Sequence, residues 1–276
     1  MLVAASAYGQ TALSIGNASL QMSEDGPSVE AGRLFRPGEL AYGSFTISNF
    51  KQNPGADISK DDPLISLSYR VEVFDPLGIA IQPSKEGKVA VEMRREDKDW
   101  RPKVRFELIV PPLPPSGTYR VEAWVKDEFA NKEATHTIPF EVKGYDVATS
   151  DKLTVSNVRF QRTDRTSEDG MPSPVYHAGE FVWALFDVSG FKLGPKNRYD
   201  VEYGLAVLDG TGKVLFEQDP AAQLNEEPDY PKRALPGALS VQIAAGTPKT
   251  KYQLRLRVKD RVGDQTTEHV GDFSVE

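Results

Sequence analysis

The sequence predicts an all-β protein made of two tandem antiparallel β-sandwich domains, and three observations predict it. Apolar residues recur with period two instead of 3.6, the mark of half-buried strands. Turn-forming clusters such as Asp75-Pro-Leu-Gly78 and Asp209-Gly-Thr-Gly212 punctuate the chain. The same blocks, in the same order, occur twice along its 276 residues.

In the first copy the strands are expected near 12–21, 39–50, 64–75, 79–82, 88–93, 103–110, 117–126 and 134–142. The third is the clearest: Leu67, Tyr69, Val71 and Val73 alternate with Ser68, Arg70 and Glu72. The fourth follows the Asp75–Gly78 turn. The sixth alternates Val104, Phe106, Leu108 and Val110 with Arg105 and Glu107, and Pro114-Pro-Ser-Gly117 turns the chain into the seventh. In the second copy strands are expected near 152–161, 180–190, 199–208, 213–217, 239–244, 251–259 and 266–275, with Tyr252, Leu254, Leu256 and Val258 giving the cleanest alternation. Outside short loops, no stretch of 12 residues carries a helical stripe free of Pro and Gly.

The repeat is legible block by block. Leu13–Gln21 matches Leu153–Gln161, Ser23-Glu-Asp-Gly26 recurs as Ser167-Glu-Asp-Gly170, and Gly38–Ile47 aligns with Gly179–Val188. Tyr69–Gly78 aligns with Tyr203–Gly212, Tyr119–Asp127 with Tyr252–Asp260, and Phe140–Val142 with Phe273–Val275. The division drawn from this places a secretory-signal remnant or disordered segment at 1–11, sandwiches at 12–142 and 152–276, and a linker at 143–151. Core positions are expected at Phe45, Ile47, Tyr69, Val71, Val73, Phe106, Leu108, Tyr119 and Val121. Their counterparts are Phe186, Val188, Tyr203, Leu205, Val207, Leu239, Val241, Tyr252 and Leu254.

The segment Gly117–Asn131, followed by Thr137–Val142, resembles the closing hairpin of bacterial immunoglobulin-like and fibronectin-III-like repeats, and Lys251–Asp260 with Phe273–Val275 repeats it. The tyrosine opening each strand, Tyr119 and Tyr252, is similar to the tyrosine corner of that class. The resemblance implies an immunoglobulin-like sandwich whose tyrosine hydroxyl bonds back to nearby backbone. It covers the last third of each copy and implies no single role.

Composition narrows the function classes. With 33 basic and 40 acidic residues the net charge is −7, which argues against nucleic acid or an anionic membrane as main partner. No apolar run approaches 18 residues, so no membrane span is expected. The absence of cysteine removes disulfides, thiol catalysis and thiolate zinc sites. Leu2–Ala7 is small and apolar, and Ala7 and Gly9 precede Gln10 as at a signal cleavage site, so an extracytoplasmic location, periplasmic or secreted, is expected.

Nothing in the sequence assembles a catalytic centre. Of the three histidines, His136 and His269 occupy one place in the two copies, so they belong to the fold, while His177 stands opposite Pro37 in a loop. There is no Gly-x-Ser-x-Gly elbow, phosphate loop or His-Glu-x-x-His. No catalytic residue, metal or cofactor is therefore expected. Carboxylates at Glu24 and Asp25, Glu168 and Asp169, Asp57, Asp61 and Asp62, and Asp127, Glu128 and Asn131 lack the spacing of a calcium loop. The Glu92–Arg105 run mixes both signs and reads as a solvated loop.

The aromatics point to binding. Alternation turns Trp124 outward, beside Arg120 and Lys126, and its counterpart in the second copy is Arg257. Trp183 and Tyr42 match each other and serve the fold; Trp100 is a second possible contact. The expected function is a non-catalytic, exported binding or spacer protein contacting an extracytoplasmic protein or a cell-surface polymer. Two alternatives are a protease-inhibitor-like module acting through a protruding loop (52–62 or 92–103) and a carbohydrate-binding accessory module, which needs aromatics lined up on one sheet.

Overall fold

The computed structural model describes residues 12–53, 64–91, 100–163 and 174–276. The signal remnant, most of both protruding loops, the second Ser-Glu-Asp-Gly turn, and Asp57, Asp61 and Asp62 lie outside them. The chain divides into two compact units, Met1–Tyr145 and Asp146–Glu276.

The first unit contains β1 (Ser14–Gln21), β2 (Leu34–Phe35), β3 (Leu40–Ser48), β4 (Ile65–Phe74), β5 (Lys85–Val91), β6 (Lys103–Ile109), β7 (Gly117–Asp127) and β8 (Lys132–Val142). They form a three-stranded sheet in the order β1-β3-β6 and a five-stranded sheet in the order β2-β8-β7-β4-β5. The second unit repeats the plan with β9 (Thr154–Gln161), β10 (Val175–Tyr176), β11 (Phe181–Ser189), β12 (Tyr199–Asp209), β13 (Val214–Glu226), β14 (Ala234–Gln242), β15 (Lys251–Asp260) and β16 (Gln265–Val275). Its sheets run β14-β11-β9 and β10-β16-β15-β12-β13. Each unit is an immunoglobulin-like sandwich, and among the described residues the helical content is one 3₁₀ turn at Pro195–Asn197.

The expected core holds with three exceptions: Tyr69, Val207 and Val241 are half-buried, and the other fifteen positions are buried. Tyr69 lies beneath Gly87 of the edge strand β5, whose missing side chain its ring covers. Val207 and Val241 border a groove in the second unit. Both cores use a glycine to make room for a phenylalanine ring on the neighbouring strand. In the first, the Phe106 ring fills the space that a side chain on Gly43 would need; in the second, the Phe186 ring does so against Gly237. The two pairs stand at neighbouring places in the ladder, not the same one: the counterparts of Gly43 and Phe106 are Ala184 and Leu239, and those of Phe186 and Gly237 are Phe45 and Val104.

Most matched blocks have physical reasons that the structure supplies. Tyr119 Oη donates to the Pro115 carbonyl at 3.0 Å and Tyr252 Oη to that of Pro248 at 2.8 Å. Asn17 and Asn157 sit at positive φ where β1 and β9 bulge against their partners, a conformation asparagine tolerates well. The carboxylates of Asp127 and Asp260 are buried and consumed by backbone amides. Asp127 accepts from Lys51, Phe129 and Ala130, and Asp260 from Lys192, Val262 and Gly263. Asp127 thereby ties its own hairpin tip to the end of the opposite sheet, and its oxygens are engaged there instead of facing an ion.

Several expectations are corrected. Residues 79–82 form no strand; a single bridge joins Phe74 to Ala80. The short strands β2 and β10, which pair in parallel with β8 and β16, carry only two residues each, too few for a periodic signal. Strand β13 runs to Glu226 and β14 begins at Ala234. Pro220 and Pro236 lie inside these strands, and both strands are at sheet edges, where proline is tolerated. The counterpart of His177 is Arg36, not Pro37: the amides of both donate to the glutamate three residues on, Glu180 and Glu39.

Candidate functional site

The outer face of the first unit's five-stranded sheet carries Arg120, Trp124 and Lys126 together. On β7, Tyr119, Val121, Ala123 and Val125 are buried, so Arg120, Glu122, Trp124 and Lys126 point away from the core. Trp100 is not brought to this face. It precedes β6, in the other sheet, and is 39% exposed.

Register between β4 and β7 builds a small lattice. Arg70 stands opposite Trp124, Glu72 opposite Glu122, and Phe74 opposite Arg120. The Arg70 guanidinium lies 5.5 Å from the Trp124 ring centre, and Arg120 lies 4.8 Å from that of Phe74, so two cation–π pairs run across the strands in opposite senses. The like charges of Glu72 and Glu122 face each other, and each is neutralised along its own strand, by Arg70 at 3.1 Å and Arg120 at 2.6 Å. Trp124 Nε1 donates to Glu133 on β8 at 3.1 Å, and its side chain is half-buried as a result.

Lys126 is held by Glu128 at 3.5 Å. The Ser68 hydroxyl, donating to Glu128 at 2.6 Å, holds that carboxyl below its usual pKa, with Lys126 adding to the shift. A shallow groove of about 440 Å³ opens beside Trp124, lined by Ser68, Tyr69, Arg70, Glu86, Gly87 and Lys88. The surface is thus charged, internally paired and preorganised, with an aromatic anchor at its centre.

The second unit lacks this arrangement. Arg257 replaces Trp124 and is bonded to Asp219 at 2.7 Å and Glu268 at 2.8 Å, a purely ionic cluster. Elsewhere in the first unit, Asp25 is engaged by Lys103 at 2.5 Å and Arg105 at 2.9 Å. These two cations pull its carboxyl from the usual 3.8 to about 2. They belong to β6, so the end of the Glu92–Arg105 run is a strand, not a solvated loop. No group of three or more metal-ligating side chains occurs among the described residues.

Sequence reasoning missed Arg70 and Phe74, because the cross-strand register that pairs them with Trp124 and Arg120 is not written in either strand. It also missed an apolar groove in the second unit. Val214-Leu-Phe216 was the available signal, since three consecutive apolar residues in a period-two strand cannot all face inward.

No protein-family model and no curated protein matches the chain. Solved structures align with it at low identity and low TM-score. The native conformation of E. coli alpha-2-macroglobulin aligns over 99% of this chain at 14% identity and a TM-score of 0.27, and the chain spans 14% of that protein's length. The form activated by porcine elastase aligns over 96% at 13% identity and 0.27, with the chain spanning 20% of it. The fibronectin(III)-like modules of Clostridium thermocellum CbhA align over 95% of this chain and 92% of their own, at 13% identity and 0.24. No residue role is carried across from any of them.

Proposed function

We propose that the chain is a non-catalytic binding protein that works outside the cytoplasm and offers the Trp124 face of its first unit to a protein partner. The observation that carries this is the Arg70–Trp124 and Phe74–Arg120 lattice. Residues that recur in both units, such as the tyrosine corners and the buried aspartates, build the fold; this lattice is present in one unit only, and the fold does not need it. Tryptophan and arginine are the side chains that most often anchor protein interfaces, and stacking holds both here before any partner arrives. The small residues before Gln10 support export.

A protein is favoured over a polymer of sugars. A sugar platform presents a bare aromatic face, whereas Arg70 covers Trp124 and Arg120 covers Phe74. For the inhibitor reading, residues 54–63 and 92–99 of the two loops lie outside the described residues, and nothing observed favours it.

The test is retention of proteins from the extracytoplasmic fraction of the source cells on the immobilised chain, followed by purification of the retained protein and a binding measurement. Trp124→Ala and Arg70→Ala should each weaken binding about tenfold or more, as removal of an interface anchor does. Equal affinity of the purified partner for wild type and both variants would overturn the assignment of this face.

A further inference from the structure

The two units differ at one corner of the sandwich, where the edge strand of the five-stranded sheet faces the edge strand of the three-stranded sheet. In the first unit this corner is closed by the chain itself. Ile81, whose amide donates to the Val73 carbonyl, is 6% exposed. The next residue, Gln82, reaches across to β6: its Nε2 donates to the Glu107 carbonyl at 2.9 Å, and its Oε1 accepts from the Ile109 amide at 3.2 Å. The side-chain amide thus makes the pair of bonds that a neighbouring strand's backbone would make.

In the second unit the same corner is open. The amide of Ile243 donates to Glu180, and its carbonyl accepts from Gly179, as Val110 does with Glu39 and Gly38. This fixes Ser240 and Gln242 as the counterparts of Glu107 and Ile109. Ladder alternation turns the Ser240 carbonyl and the Gln242 amide away from β11, on the free side of the edge strand β14. Facing them, Leu215 is 52% and Phe216 44% exposed at the start of β13, where the first unit has the buried Ile81. Between lies a groove of about 530 Å³ with Val207, Leu215, Phe216, Val241, Ile243 and Pro248 in its walls.

From this we infer that the groove of the second unit receives an extended segment of a partner polypeptide, which pairs with the edge of β14 and buries an apolar side chain where Ile81 sits in the first unit. The first unit shows the chemistry this corner accepts: a branched apolar residue, and an amide group that meets a carbonyl and an N–H two residues apart. Addition of a strand to an exposed edge supplies main-chain hydrogen bonds for affinity and a side-chain pocket for selectivity. The site lies in the other unit from the Trp124 face and stands independently of it.

The probe is a fluorescein-labelled synthetic peptide with the sequence of residues 77–86, titrated against the full chain by fluorescence anisotropy. Saturable binding is expected, weakened at least tenfold by Phe216→Glu and by a peptide carrying aspartate at the position of Ile81. Should Phe216→Glu fail to fold, amide chemical shifts of the wild-type chain serve instead: Gln242 and its neighbours should move with added peptide, and the Trp124 indole should not. Absence of saturable binding, or binding that survives both changes, would overturn the proposal. So would self-association in sedimentation that Phe216→Glu abolishes without any peptide binding, which would make a second copy the occupant.

Discussion

Asp260 is buried completely, and its carboxylate takes hydrogen bonds from three backbone amides and from Gln265 Nε2. Truncation would leave those donors buried without an acceptor, so Asp260→Ala should lose about 3 kcal/mol or more in denaturant unfolding, as should Asp127→Ala in the other unit. Retention of full stability would show that water replaces the carboxylate. Asp25 makes a different prediction, because it lies at the surface. Lys103 and Arg105 lower its pKa from 3.8 to about 2, so the folded state binds the proton less readily than the unfolded chain. The stabilisation is complete above 3.8 and fades as the pH falls through about 2. Asp25→Asn should therefore melt slightly below wild type at neutral pH and low salt, and the gap should close as the pH falls from 4 to about 2; a gap independent of pH would contradict the pairing. At this scale the sequence showed which residues recur but not why. Ser23–Gly26 forms a turn, with the Gly26 amide donating to the Ser23 carbonyl at 3.0 Å, but nothing local shows that the Asp25 carboxylate is held by cations from a strand 78 and 80 residues away.

At the level of elements, period two was enough for every strand with one wet face and one dry face. β4, β6, β7 and β15 end within two residues of where alternation puts them. It failed where that contrast is missing. β13 lies at an edge and is exposed along nearly its whole length, so polar residues and Pro220 hide it. The packing of elements carries its own test in the two glycine–phenylalanine pairs. A Cβ at position 43 would come within 2.1–2.7 Å of the Phe106 ring, which the buried neighbours hold in place. Gly43→Ala should cost about 1–3 kcal/mol, the range of overpacked cores, and Phe106→Leu should recover part of it, because the counterpart pair Ala184 and Leu239 is already buried in the second unit. A double variant no more stable than Gly43→Ala would mean that strain in the strand, not the ring, sets the cost.

Over the whole molecule, the account is of one sandwich made twice, with shared interior chemistry and different surfaces. The duplication and the outward turn of Trp124 were legible in the sequence. The cation–π lattice and the open groove were not, since both depend on how strands from distant parts of the chain come into register. The central claim is that one corner is closed by Gln82 in the first unit and left open in the second. Residue-resolved amide hydrogen exchange on the full chain tests it most directly, by comparing Ile109 with Gln242 at equivalent places on β6 and β14. The account predicts that Ile109, bonded to the Gln82 side chain, exchanges several-fold more slowly than Gln242, while the central strands β7 and β15 are comparably slow. Equal protection of Ile109 and Gln242, or faster exchange at Ile109, would contradict it.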